Sequence, residues 1–88
     1  MKTAFRNQFL RDLRVIRDKQ LLALVKEVIE VVEKAGALTS LQNLKPIKGA
    51  KSYYRIRIGE YRLGLSLDGD TVTFARLLHR REIYRYFP

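Results

Sequence analysis

Tyr53-Tyr54-Arg55-Ile56-Arg57-Ile58, a Gly59-Glu60 turn, and Tyr61-Arg62-Leu63-Gly64-Leu65-Ser66-Leu67 form the stretch that decides the fold. It continues through Asp68-Gly69 into Asp70-Thr71-Val72-Thr73-Phe74-Ala75-Arg76-Leu77-Leu78, then His79-Arg80-Arg81-Glu82-Ile83-Tyr84. Apolar and polar residues alternate with period two, so each run predicts a strand with one buried and one open face.

The pairing follows from the turns. A two-residue Gly-Glu loop suits the primed hairpin turns, where glycine tolerates positive φ. That register sets Ile58 opposite Tyr61, Arg57 opposite Arg62, Ile56 opposite Leu63 and Arg55 opposite Gly64. Asp-Gly is a type I′ signal, and a two-residue loop there sets Leu65 against Val72 and Leu63 against Phe74. A three-residue loop would mix the two faces, so the two-residue register is preferred.

One face then carries Tyr54, Ile56, Ile58, Tyr61, Leu63, Leu65, Leu67, Val72 and Phe74. The other carries Arg55, Arg57, Arg62, Gly64, Ser66, Thr71, Thr73 and Ala75, and by parity Leu77 and His79. Three arginines converge there with no carboxylate among them. Like charges directly opposite each other destabilise a sheet by roughly 0.2–1 kcal/mol a pair. Keeping Arg57 against Arg62 therefore points to an anion between them; the alternative is a solvated basic face whose guanidiniums splay into water.

Outward from this stretch, Lys2–Arg6 reads as a short first strand, expected beside a meander strand with a free edge. Asn7 predicts an N-cap for a helix over Gln8–Arg17, with Phe9, Leu10, Leu13 and Ile16 at helical spacing. Asp18 predicts a second N-cap, opening a helix from Lys19 to Ala35 with Gly36 just past its end. Leu21, Leu22, Leu24, Val25, Val28, Ile29, Val31 and Val32 fill half of its wheel, the width expected for burial against a sheet. Leu38–Gly49 is a connector in which Pro46 and Gly49 stop further helix. Lys45, Lys48 and Lys51 line its approach and read as solvated, with Lys51 kept as a candidate phosphate contact. The order predicts an α+β fold, β-α-α-β-β-β, with a helical hairpin on one face of a small, mainly antiparallel sheet and the arginine face left open.

The 88 residues suffice for one small domain, taken as 1–88. Cysteine is absent, which excludes disulfide and thiolate chemistry. No apolar run is long enough to span a membrane and no secretory segment is evident, so a cytoplasmic protein is expected. The net charge is +9 and uneven: residues 1–42 hold eight Lys/Arg against five Asp/Glu, residues 43–88 ten against four. Seven of those ten are arginine, the planar, bidentate phosphate binder, so a polyanion such as nucleic acid is the expected partner, with an acidic protein as the alternative.

The run Tyr54–Arg62 with Leu78–Tyr84, read as a basic strand, Gly-x-Tyr-Arg, a hydrophobic strand and His-Arg-x-Glu-x-Tyr, resembles the RelE/ParE superfamily of type II toxins. The helix order and the Leu44-Lys45-Pro46-Ile47-Lys48-Gly49 lead-in extend the resemblance over nearly the whole chain. It implies a ribosome-dependent endoribonuclease, an mRNA interferase that uses the message's own 2′-hydroxyl and needs neither metal nor cofactor. Arg62 would hold the scissile phosphate, Arg80 the leaving group, and Tyr84 would stack on a base. Arg55 and Arg57 stand where well-known members carry lysines, and Arg81 joins them as a phosphate contact. Arginine does not exchange protons near neutrality, so His79 is the candidate acid or base. The implied partners are a small acidic antitoxin, the ribosome and mRNA, with no membrane and with assembly into a toxin–antitoxin hetero-oligomer. A ParE-like toxin that inhibits DNA gyrase by protein contact and a nuclease-inactive RNA-binding module are the alternatives.

Overall fold

In the computed structural model, which describes residues 1–88, the short apolar runs line up as a five-stranded sheet in the order β1-β5-β4-β3-β2. The strands are β1 (Lys2–Phe5), β2 (Leu44–Pro46), β3 (Tyr53–Ile58), β4 (Tyr61–Asp68) and β5 (Thr71–His79). The helices are α1 (Asn7–Arg14), α2 (Lys19–Lys34) and α3 (Ile83–Tyr86). Only β1 runs parallel to its neighbour β5; every other pairing is antiparallel. The expected α+β architecture, helical hairpin on sheet, is therefore present.

The first hairpin has the predicted register, from Ile58 opposite Tyr61 to Arg55 opposite Gly64. Gly59 alone of its two loop residues has positive φ, at 58°, as a II′ turn needs at its first position. The second hairpin departs from the prediction. Its loop is Gly69-Asp70, with Asp68 opposite Thr71, so Leu65 faces Phe74 and not Val72. The slip is an even number of residues, and Val72 and Phe74 therefore stay on the core face. At Gly64/Leu65 the ladder shifts: Leu65 pairs with Phe74 but Gly64 with Arg76, leaving Ala75 as the extra residue of a bulge. The parity of β5 flips there. Leu77, opposite Leu63, is buried in the main core, and His79, opposite Tyr61, lies on that same face rather than among the arginines.

The bulge is held from outside the sheet. Beyond Phe5 the outer edge of β5 has no strand partner, and Asp12 of α1 takes over. Its carboxylate accepts from the Leu77 N–H at 2.9 Å and from Arg76 Nε and Nη2 at 2.9 and 3.2 Å. One carboxylate thereby meets a backbone donor and a guanidinium fork.

The helices differ from prediction mainly at their ends. The Arg6 N–H still pairs with Phe74 O, so strand pairing runs to residue 6 and Asn7 becomes the first helical residue, not a cap. Asp18 caps α2 as expected, accepting from the Gln20 and Leu21 N–H groups. Phe9, Leu21, Val25 and Val32 bury against Ile56, Ile58, Leu63, Leu65, Val72, Phe74 and Leu77. Phe5, Phe9 and Phe74 form a three-ring cluster with centroids 5.4–6.0 Å apart.

Two elements are not predicted from sequence. Leu44–Pro46 is an edge strand, paired antiparallel with β3, where the missing N–H of Pro46 costs the sheet little. The tail forms α3, and Ile83 and Phe87 bury with Ile47 and Ala75 in a smaller cluster on the second face. Phe87 lies so close over Gly64 that a Cβ there would meet its ring at 2.7 Å. The arginine face is thus covered at its centre by the tail and open at its basic end.

Candidate anion site on the open face

Residues that oppose each other in an antiparallel ladder leave the sheet on the same side. The ladder therefore puts Lys45 of β2 beside Arg55, and Arg57 directly against Arg62. Two adjoining hollows result. One is lined by Asn43, Lys45, Arg55, Arg57 and Arg62, the other by Arg55, Arg62, Arg80, Arg81 and Tyr84. Arg55 and Arg62 belong to both. No carboxylate lines either hollow, and none of the chain's three ion pairs involves Arg55, Arg57, Arg62 or Arg81.

Arg62 is the best-held member. Its Nη1 donates to the carbonyls of Gly59 and Tyr61, both at 2.9 Å, which folds the guanidinium back over the hairpin turn. Burial, and then the like charges of Arg55 and Arg57, push its pKa below the ordinary arginine value; Tyr84 acts the other way and Arg80 adds to the lowering. A cation held where its charge is disfavoured is a preorganised receptor for an anion.

Tyr84 stands on α3 with 61% of its surface exposed, and the Arg55 guanidinium lies 5.9 Å from its ring centroid. The exposed ring lines the same hollow as Arg62. Arg80 lines the hollow but is engaged: its Nε contacts Glu60 at 2.6 Å and its N–H donates to the Glu60 carbonyl at 2.8 Å. Glu60, a residue that turn position alone marks as solvated, thus ties the end of β5 to the first hairpin.

The remaining candidates are not brought in. Lys51 sits in the exposed turn before β3, outside both hollows. His79 is on the helix side of the sheet, edge-on to Tyr61 at 5.6 Å, and its Nδ1 accepts the Arg81 N–H at 3.2 Å. The bulge at Ala75 is what moved it. Sequence reasoning also left Lys45 in solvent and did not weigh Asn43; a three-residue strand is too short to show a period. The backbone of Asn43 is left-handed, φ 62°, a conformation asparagine tolerates, and its carbonyl accepts the Arg57 N–H at 3.2 Å.

A family model described as the ParE toxin of the type II toxin–antitoxin system, parDE, matches residues 4–84. Toxin RelE3 of Methanocaldococcus jannaschii is 42% identical over 89 residues, with both chains covered in full. A chain of the RelB–RelE antitoxin–toxin complex from Methanococcus jannaschii superposes with a TM-score of 0.83 at 39% identity, over 97% of this chain and 99% of that one. The YoeB dimer of Staphylococcus aureus, at 21% identity, shares the fold: its TM-score is 0.74 over 91% of this chain and 97% of its own.

Proposed function

The chain belongs to the ParE toxin family within the RelE/ParE superfamily of type II toxins, and from that premise we propose that it is a ribosome-dependent endoribonuclease. It cleaves mRNA by attack of a 2′-hydroxyl on the adjacent phosphorus, releasing the 5′-oxygen. The observation that carries this reading is the acid-free cluster shared between the two hollows. Arg55 and Arg62 hold the scissile phosphate where both hollows meet. The attacking and leaving oxygens of an in-line displacement must lie on opposite sides of phosphorus, one toward each hollow. Charge that grows on the phosphoryl oxygens meets donors already in place, with Arg57, Arg80 and Arg81 around them. Tyr84, exposed beside Arg55, takes a base face.

His79 has no part in this scheme. It is on the far face of the sheet, so direct proton transfer to a phosphate at Arg62 is not proposed.

The partner in the resting state is an acidic antitoxin, whose segments neutralise the arginine face. The same partner has an apolar groove to fill between α2 and residues 40–43, lined in part by Leu24, Val28, Val31 and Leu41, with Leu24 and Val31 about half exposed. The complex that one similar chain forms with RelB supports this assignment.

The test is induction of the chain in cells with mapping of mRNA 5′ ends. Cuts inside translated frames that vanish when translation is blocked, and vanish with Arg62→Ala, are the expected result. Intact messages with loss of supercoiling would instead place the target at gyrase.

A further inference from the structure

When a 2′-hydroxyl attacks phosphorus its proton must leave, and when the P–O5′ bond breaks the departing oxygen must gain one. Guanidinium keeps its proton at any pH near neutrality, so arginines do neither well. Among the side chains lining the two hollows, only Lys45 and Tyr84 exchange protons, and they stand in different hollows on either side of the shared Arg55 and Arg62. Lys45 opposes Arg55 in the ladder and so leaves the sheet on its face. The Asn43 carbonyl, turned by a left-handed backbone onto the Arg57 N–H, continues that pairing and keeps β2 in register with the arginine strand.

Resting on the ribonuclease reading above, we infer that Lys45 is the general base of the cleavage. Its neutral amine takes the 2′-hydroxyl proton and becomes an ammonium. The oxygen's electron pair forms the new bond to phosphorus as the P–O5′ pair departs with the 5′-oxygen, which takes its proton from water in the hollow of Tyr84. The products are a 2′,3′-cyclic phosphate and a 5′-hydroxyl, and Lys45 returns its proton to solvent. A lysine has thus entered the site from the neighbouring strand, opposite a position where arginine cannot do this work.

The rival account makes Lys45 one more cation. Lys45→Arg separates the two, because it keeps charge and reach but not proton exchange. The assay measures single-turnover cleavage of an oligoribonucleotide, free and on programmed ribosomes, by the wild-type chain, Lys45→Ala, Lys45→Arg and the control Lys48→Ala. Lys45 is an exposed side chain on an edge strand, and circular dichroism verifies that each variant is folded.

Lys45→Ala and Lys45→Arg are both expected to lose about 10²–10⁴-fold in the saturating single-turnover rate constant, with little change in the enzyme concentration that gives half of it. Added ethylamine should restore part of the Lys45→Ala rate, and guanidinium ion should not. A 5′-thio substrate, whose leaving group needs no proton, should not rescue Lys45→Arg. A Lys45→Arg chain that cleaves at the wild-type rate would overturn the inference, since charge alone would then suffice. Rescue of Lys45→Arg by the 5′-thio substrate would also overturn it, by moving Lys45 to the leaving group. A wild-type chain that cuts neither substrate would remove the ribonuclease reading itself, a result distinct from both.

Discussion

The two faces of this sheet are built on opposite terms. The helix-covered face is closed over its centre by apolar, buried side chains, and the carboxylate at its edge, Asp12, meets a backbone N–H and a guanidinium. The open face carries like charges in direct opposition, Arg57 against Arg62, and leaves them without ion pairs. Stability is concentrated on the first face and unmet demand on the second, so changes on the two faces should differ in kind. Phe74 is fully buried in a three-ring cluster with Phe5 and Phe9. Phe74→Ala should cost about 3–5 kcal/mol of folding stability in urea titration and abolish activity with it. A loss below 1 kcal/mol would mean that the closed face is not where stability resides.

Arg62→Ala is the matching change on the open face. It should slow cleavage by about 10²–10³-fold, the usual consequence of losing one preorganised donor. Stability should move by no more than about 1 kcal/mol, because the loss of two carbonyl bonds, one exposed and one partly buried, is offset by relief of repulsion. A chain that unfolds on this change would show that Arg62 holds structure first.

Asp12→Ala probes the seam between the faces. It removes charge-assisted bonds to Arg76 and the only side-chain acceptor of the Leu77 N–H, which should cost about 1.5–3 kcal/mol. Hydrogen exchange at Leu77 should speed up before exchange at Leu63 does. Unchanged protection at Leu77 would show that the bulge does not depend on α1.

How far the sequence could be read follows the same division. The first hairpin was legible to the residue, because Gly59 forces the turn and strict alternation leaves one register. The second was legible only as to face. A slip by two residues preserves the apolar pattern, and nothing local marks Ala75 as the extra residue of a bulge; its stabilising partner, Asp12, lies far off in sequence. For that reason His79 is predicted among the arginines and found behind them, and His79→Gln should leave the cleavage rate within a few-fold of wild type. On the open face strict alternation located Arg55, Arg57 and Arg62, whereas Arg80, Arg81 and Tyr84, just past the meander, entered only through the family resemblance; the structure has them line a hollow with Arg55 and Arg62. Lys45 was missed because its place depends on an edge strand of three residues, set by pairing with β3 rather than by its own propensity.

The smallest expected effect tests whether the open face is strained for want of an anion. Burial and the charges of Arg55 and Arg57 lower the pKa of Arg62, which means that folding disfavours its charged form. The sign matters. Stability from this source would be recovered only as pH climbs into the arginine range, so no pH between 5 and 9 relieves it. Removing a charge or supplying an anion should. Arg57→Gln deletes the cation directly opposite Arg62 and should raise stability by about 0.2–1 kcal/mol. Inorganic phosphate should raise the Tm of the wild-type chain more than chloride at equal ionic strength, because an anion that binds only the folded state stabilises it by mass action, whereas screening is common to both salts. In Arg57→Gln the phosphate effect should shrink as the basal Tm rises. If the variant is instead less stable, or phosphate and chloride act alike, the guanidiniums already splay into water and the opposition of Arg57 and Arg62 imposes no strain for an anion to relieve.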